Sequence, residues 1–280
     1  MDLSIADHAL AAAAAVAAGL INAVAGGGTL ITFPALVALG VPVVTSNITN
    51  TVALCPGYFG GTFAQRHDLG LQRRRLPAIV VPAAAGGAIG SILLVSSSDK
   101  LFRSLVPFLL LGACLLLALG DSIKAALPAR PNPATPSAGP TPPGPTTDPT
   151  DTTDPTDTTD TTDSTPRSVI VAVFVIGIYA GYFGAGMGII ALAVLGLALN
   201  DTMVRINALK QLVAFTANLV AAGLFLFSGQ VEFSLVAVMA PASLLGGSIG
   251  GRLVRKLNPW VLRTIVITIG VGVALSFWLR

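Results

Sequence analysis

Two glycine clusters are the residues best suited to chemistry in this chain. The first is Gly26-Gly27-Gly28, followed by Thr29; the second is Gly184-Ala185-Gly186-Met187-Gly188. They interrupt the apolar runs 8–39 and 168–199, both too long for a single crossing, which takes roughly 20 residues. Glycine costs about 1 kcal/mol against alanine in a helix interior, so the clusters predict a broken helix or a re-entrant hairpin at each place. A half-helix beginning at Thr29 or Met187 leaves its first N–H groups without helical partners, and those groups together with the helix dipole favour an anion. The competing explanation is that the glycines only let helices pack closely, as small-residue patterns do in membranes. That explanation suits Gly57/Gly61, Gly86/Gly90, Gly246/Gly250 and Gly247/Gly251. It does not account for the doubled length of the two long runs.

A second set of candidates opens the next helix after each break. One half reads Ser46-Asn47-Ile48-Thr49-Asn50-Thr51, the other Arg205-Ile206-Asn207-Ala208-Leu209-Lys210-Gln211. Side-chain amides donate hydrogen bonds to oxygen-rich anions, and Lys210 adds a positive charge. Helix capping covers Asn47 well and explains Asn50 and Gln211, which lie three or four residues further in, less well. The candidate substrate-binding set is therefore Gly26, Gly27, Gly28, Thr29, Asn47, Asn50, Gly184, Gly186, Met187, Gly188, Asn207, Lys210 and Gln211. Asn22 and Asn218 are weaker candidates, expected to bond between helices. Cys55-Pro56 reads as a small buried residue beside a kink, His67 as a solvated loop residue, and Trp260 and Trp278 as interfacial anchors of the last helix.

The elements that must position these residues belong to a membrane protein. Of 280 residues 53% are hydrophobic and 10% charged, against about 25% charged in a soluble domain, and the mean hydropathy is +0.80. Six of the thirteen acids sit in the tract from Asp148 to Asp163, which leaves the remainder more apolar still. The apolar runs fall at 8–39, 48–64, 76–95, 104–120, 168–199, 207–227, 231–250 and 260–279. Between the fourth and fifth lies 121–166, with eleven of the nineteen prolines and a repeating Thr/Asp pattern. It reads as a disordered, solvated linker, dividing the chain into a first transmembrane repeat (1–120) and a second (167–280). The N-terminus has two Asp and no base before the apolar run, so it is read as retained rather than as a signal peptide. Cys55 and Cys114 lie inside apolar runs and form no disulfide framework.

The halves align at an offset of 158–160 residues: Gly26 and Gly28 fall on Gly184 and Gly186, Asn47 on Asn207, Asn50 on Lys210, and Gly86-Gly87-Ala88-Ile89-Gly90 on Gly246-Gly247-Ser248-Ile249-Gly250. Loop charge decides their relative orientation, because cytoplasmic loops are rich in Lys and Arg. If each long run crosses once, the repeats are parallel and the sixteen bases divide eight to eight. If each broken run turns back, the repeats are inverted: thirteen bases lie inside, and only Lys100, Arg103 and Arg280 lie outside. The expected fold is thus an all-α polytopic membrane protein of two inverted repeats, each with a glycine-broken first helix and three transmembrane helices. Both termini lie outside and the linker is cytoplasmic. Inverted repeats with discontinuous helices characterise secondary transporters, with sites near the midplane.

Other classes are excluded on the same residues. There is no HExxH, no GxxxxGK[ST] and no GxSxG, and Gly184–Gly188 lacks the strand and later acid of a dinucleotide loop. The bases are scattered among apolar segments rather than gathered as a nucleic-acid face. No cofactor and no metal site is expected; the partners are a small anionic substrate and the lipid bilayer, with the oligomeric state left open. No Asp or Glu lies well inside an apolar run, where proton- or sodium-coupled carriers usually place carboxylates. Exit of a monovalent anion needs no coupling group, being downhill by about 2.3 kcal/mol per 100 mV.

The stretches Gly19-Leu20-Ile21-Asn22-Ala23-Val24-Ala25-Gly26-Gly27-Gly28-Thr29-Leu30-Ile31-Thr32-Phe33-Pro34, Asn47–Leu54 and Tyr179–Gly188 resemble the TauE/SafE sulfite and organosulfonate exporter family. The resemblance covers nearly everything except 121–166. It implies duplicated helical halves, a multi-pass permease of the cell (inner) membrane, and substrates such as sulfite, sulfoacetate or other small sulfur anions. An importer of organic sulfur acids or of another small anion, and a membrane scaffold without flux, are the alternatives.

Overall fold

A computed structural model describes residues 3–24, 26–126, 165–199 and 201–253, with 264, 267–268, 271–272 and 274–275 in the last apolar run. Among the described residues the secondary structure is helical throughout. In chain order the helices are α1 (Ile5–Val24), α2 (Thr29–Ala38), α3 (Val43–Ala64), α4 (Arg66–Gly70), α5 (Leu76–Ser96), α6 (Asp99–Ala126), α7 (Arg167–Tyr182), α8 (Met187–Ala198), α9 (Met203–Leu226) and α10 (Phe233–Leu253). Five of them, α1, α5, α6, α9 and α10, are long and apolar enough to cross a membrane. The expected linker region is entered by α6, which continues to Ala126; the rest of that segment, 127–164, and Trp260 and Trp278 lie outside the described residues.

Local sequence accounts for several helix starts. At α1, Ser4 and Asp7 form a reciprocal cap: Ser4 N–H donates to Asp7 Oδ2 at 2.8 Å and Asp7 N–H to Ser4 Oγ at 3.2 Å, satisfying donors that the helix leaves open. At α9, Thr202 Oγ1 accepts from the Arg205 N–H at 3.4 Å. α3 begins at Val43, five residues before the apolar run it was read from. Its first turns carry Ser46, Asn47, Thr49 and Asn50, each at most 1% exposed. The polar stretch that opens this helix is thus a buried helix surface.

The helices pack across the two halves rather than within them. α1 lies along α10 and α7 along α5, while α3 packs on both α10 and α9, and α9 on α5. Exchanging the halves leaves this pattern unchanged. The packing glycines make it possible: a Cβ on Gly246 would lie 2.2 Å from the Val16 carbonyl, one on Gly250 2.9 Å from Leu20, and in the partner pair one on Gly86 2.2 Å from the Phe174 carbonyl and one on Gly90 2.1 Å from that of Ile178. Gly87 meets Ala217 as Gly247 meets Gly57, at 2.6 and 2.4 Å from the facing carbonyls. Backbones this close exclude any side chain, and dispersion contacts replace the missing hydrophobic drive in lipid.

Register fixes the directions. α5 and α7 run parallel, since residues 86 and 90 meet 174 and 178 in order. α3 and α9 run antiparallel: Thr62 Oγ1 donates to the Gln211 carbonyl at 3.2 Å and Asn207 Nδ2 to Gln65 Oε1 at 2.8 Å. The basic loop before α5 therefore meets the start of α9. There Arg75 pairs with Asp201 at 3.0 Å, Asp201 also takes Arg205 at 3.4 Å, and Gln72 Nε2 donates to the Arg205 carbonyl at 3.3 Å.

Candidate functional site

Both glycine clusters break their helices as the sequence demands. Gly26, Gly184 and Gly186 have φ of +79°, +75° and +73°, a region that side chains with a Cβ rarely enter. α1 ends before the first break and α2 starts at Thr29; α7 ends at Tyr182 and α8 starts at Met187 after the N-cap Gly186. α2 has 10 residues and α8 has 12, about 15–18 Å of helix, or roughly half of a 30 Å hydrocarbon core.

The two breaks meet. A Cβ on Gly26 would lie 2.6 Å from Gly188 Cα, and one on Gly188 2.7 Å from Gly26 Cα. The α8 start thus lies against the first break, backbone to backbone. Gly28 sits in a cradle, since a Cβ there would reach 2.4 Å from the Ala18 carbonyl and 2.6 Å from Asn22 Nδ2. Gly27 differs from the other site glycines: the nearest atom to an added Cβ is Leu117 Cδ1 at 3.5 Å, ordinary contact distance.

Each break has its own brace. In the first, the Gly28 N–H donates to Asn22 Oδ1 at 2.7 Å. Asn22, a weak candidate on sequence, bonds between helices as expected, from α1 to the N-cap of α2, and it closes one of the amides that α2 leaves open. In the second, Tyr179 Oη donates to the Ala185 carbonyl at 2.6 Å. Asn218, expected to bond between helices, donates instead to the Ala214 carbonyl of its own helix at 2.8 Å, an i−4 acceptor always within reach of a short amide.

The helix-opening residues separate into two groups. Asn50 joins the first break: its Oδ1 accepts from Thr32 Oγ1, and its Nδ2 reaches Thr29 Oγ1 at 3.5 Å. Asn47 joins the second, donating from Nδ2 to the Tyr182 carbonyl at 2.9 Å. One face of α3 therefore touches both breaks. Lys210 is buried on α9 at 2% exposure, at the position equivalent to Asn50. Asn207 and Gln211 stand apart from the breaks. The amide of Asn207 is taken by Gln65 at 2.8 Å, and Gln211 Nε2 lies 2.3 Å from where a Gly61 Cβ would be. Thr32, Tyr58 and Tyr179 belong to the site and were not singled out by sequence. Tyr58 is buried on α3 and interacts with Thr29 and Asn22. Of these, Thr32 alone left a signal, one turn beyond Thr29.

Cys55 is buried in the main apolar cluster and His67 is exposed on α4. No group of His, Cys, Asp or Glu able to hold a metal occurs among the described residues. The charged side chains buried among the described residues are Arg75, paired with Asp201, and Lys210.

Comparison with known proteins agrees with this architecture. The chain is 27% identical over 268 residues to a probable membrane transporter protein of Haemophilus influenzae, covering 95% of this chain and 92% of the relative. It is 25% identical to probable membrane transporter protein ORF9 of a Sinorhizobium species, covering 94% and 88% of the two chains. It is 24% identical to probable membrane transporter protein YfcA of Escherichia coli, covering 91% and 83%. No solved structure matches. A family model described as sulfite exporter TauE/SafE matches residues 11–277, and this chain, an integral multi-pass membrane protein built on two broken helices, belongs to that family of membrane transporters.

Proposed function

We propose that this transporter moves a small sulfur-containing anion, sulfite or an organosulfonate, outward through a site where the two helix breaks meet, near the middle of the bilayer. The observation that carries the reading is the backbone contact between Gly26 and Gly188, which brings the amide-rich start of α8 to the first break. Amides with no side chain in front of them, at the positive end of a helix dipole, stabilise negative charge. Lys210 supplies a cation on α9, and Asn50 and Thr29 supply neutral donors. The half-bilayer lengths of α2 and α8 support a midplane position.

The inverted arrangement is supported by the antiparallel α3 and α9, which are equivalent helices of the two halves, and by the Arg75–Asp201 pair. That pair joins loops that parallel repeats would place on opposite sides. With the basic loops inside the cell, the termini lie outside, the 121–166 linker is cytoplasmic, and the protein sits in the cell (inner) membrane. The outward direction follows from electrostatics. Among the described residues no Asp or Glu is buried within a helix, so nothing there resembles the carboxylate of a coupled pump. A monovalent anion leaves a negative-inside cell without help, gaining about 2.3 kcal/mol per 100 mV.

The test is flux in proteoliposomes with sulfite, sulfoacetate, thiosulfate and nitrate, under an imposed potential. Saturable movement of sulfur anions, accelerated when the side of origin is negative, is expected. Accumulation of the anion against that potential would contradict export, and the absence of flux for every sulfur anion would leave the scaffold alternative standing.

A further inference from the structure

Asn47 is fully buried on α3, at 0% exposure. Its Nδ2 donates to the Tyr182 carbonyl at 2.9 Å, which fixes the orientation of the side-chain amide, because the reverse would set two carbonyl oxygens against each other. Its Oδ1 is buried and has no hydrogen-bond partner. A buried acceptor without a donor is costly, and buried polar groups in proteins are almost always paired. The one other orphan among the described residues, Gln72 Oε1, belongs to the basic loops at the far end of α3. Asn47 stands one turn from Asn50 on the face of α3 that spans both breaks. The structure thus places an unused, buried acceptor at the end of α7, where the second break begins.

Resting on the transport reading above, we propose that Asn47 is a specificity-determining residue, and that the site takes an oxyanion of sulfur that itself carries a hydrogen-bond donor. The amides of the break receive the anionic oxygens. Asn47 Oδ1 accepts from an O–H or N–H on, or next to, the sulfur. A hydrogen-sulfite ion or an amino- or hydroxy-bearing sulfonate meets both demands; a sulfonate bearing only a methyl group leaves the acceptor unmet. A site built to hydrogen-bond its substrate rejects the analogue lacking that group far more strongly than an apolar pocket rejects a size change.

Sulfamate and methanesulfonate are singly charged and nearly isosteric, and differ in that sulfamate has N–H groups where methanesulfonate has a methyl. Each is used to compete with labelled sulfite in proteoliposomes at one pH. In the wild-type protein sulfamate is expected to inhibit at a concentration at least tenfold lower than methanesulfonate. In Asn47→Leu the ratio is expected to fall towards one, and in Asn47→Thr, which keeps an acceptor oxygen, to stay within about threefold of wild type. Equal inhibition in the wild type overturns the proposal while leaving sulfite transport intact. A tenfold preference that persists in folded Asn47→Leu overturns the assignment to Asn47. If Asn47→Leu is not recovered in the membrane, the wild-type ratio and Asn47→Thr decide. Loss of sulfite flux in the wild type itself removes this proposal and the transport reading together.

Discussion

The two helix breaks are copies in sequence and opposites in electrostatics. At the first, Asn22 accepts from the Gly28 N–H, so a side chain consumes one of the donors that could face a ligand. At the second, Tyr179 donates to the Ala185 carbonyl, so a side chain consumes an acceptor, and the Met187 and Ile189 N–H groups are taken by the Gly184 and Gly186 carbonyls rather than by a side chain. The next helix follows the same division. Asn50 ties the first break to Thr29 and Thr32 with neutral bonds, whereas its equivalent on α9 is the buried cation Lys210. The two half-helices are alike in sequence; divergence of two or three side chains around each braces the first break through a donor and the second through an acceptor, and on the proposed function the second is the wall that faces the anion.

The strongest way to break this comparison is to separate the walls. Gly188→Val places branched carbons where a single Cβ already lies 2.7 Å from Gly26 Cα, and overpacking of this kind costs about 1–3 kcal/mol or more. Transport is expected to be lost and the thermal midpoint in detergent lowered, as read by flux and by a melting curve on the same preparation. Lys210→Gln tests the asymmetry itself. It is expected to reduce flux about a hundredfold, while Asn50→Ala reduces it about tenfold, in line with the greater strength of charge-assisted bonds; equal losses would erase the distinction.

The remaining substitutions sharpen the comparison with smaller effects. Tyr179→Phe and Asn22→Ala each remove one hydrogen bond, worth about 0.5–1.5 kcal/mol net, and melting curves should register losses of that size. Their transport effects should differ, with Asn22→Ala freeing the Gly28 amide and Tyr179→Phe freeing the Ala185 carbonyl beside the proposed anion site. Gly27→Ala should be nearly silent in both assays, since the nearest atom to its new methyl is 3.5 Å away.

How much of this was legible in the sequence follows from what each residue's role depends on. Gly26, Gly184 and Gly186 were legible because a positive φ leaves its mark on residue type. Gly86, Gly90, Gly246 and Gly250 were legible because close backbone packing does the same at a fixed spacing. The apolar run marks α3 only from residue 48, because hydropathy sees Ser46 and Asn47 as polar and cannot see that the start of the helix is buried. Asn207 was placed with Asn47 by the repeat, yet Gln65 from the other half takes its amide, and such pairing depends on tertiary contacts that no local pattern records. Tyr179 and Tyr58 were silent for the same reason, since an aromatic residue in an apolar helix reads as lipid-facing or core until its hydroxyl is seen to meet something polar.

The most direct test of the central claim is a structure of the protein with selenite bound, in which the selenium is located by its anomalous signal. The account predicts selenium at the start of α8, against the backbone of Gly186–Gly188 and on the side of Lys210. Selenium lodged only at the Asn22-braced first break, or away from both breaks, would contradict it.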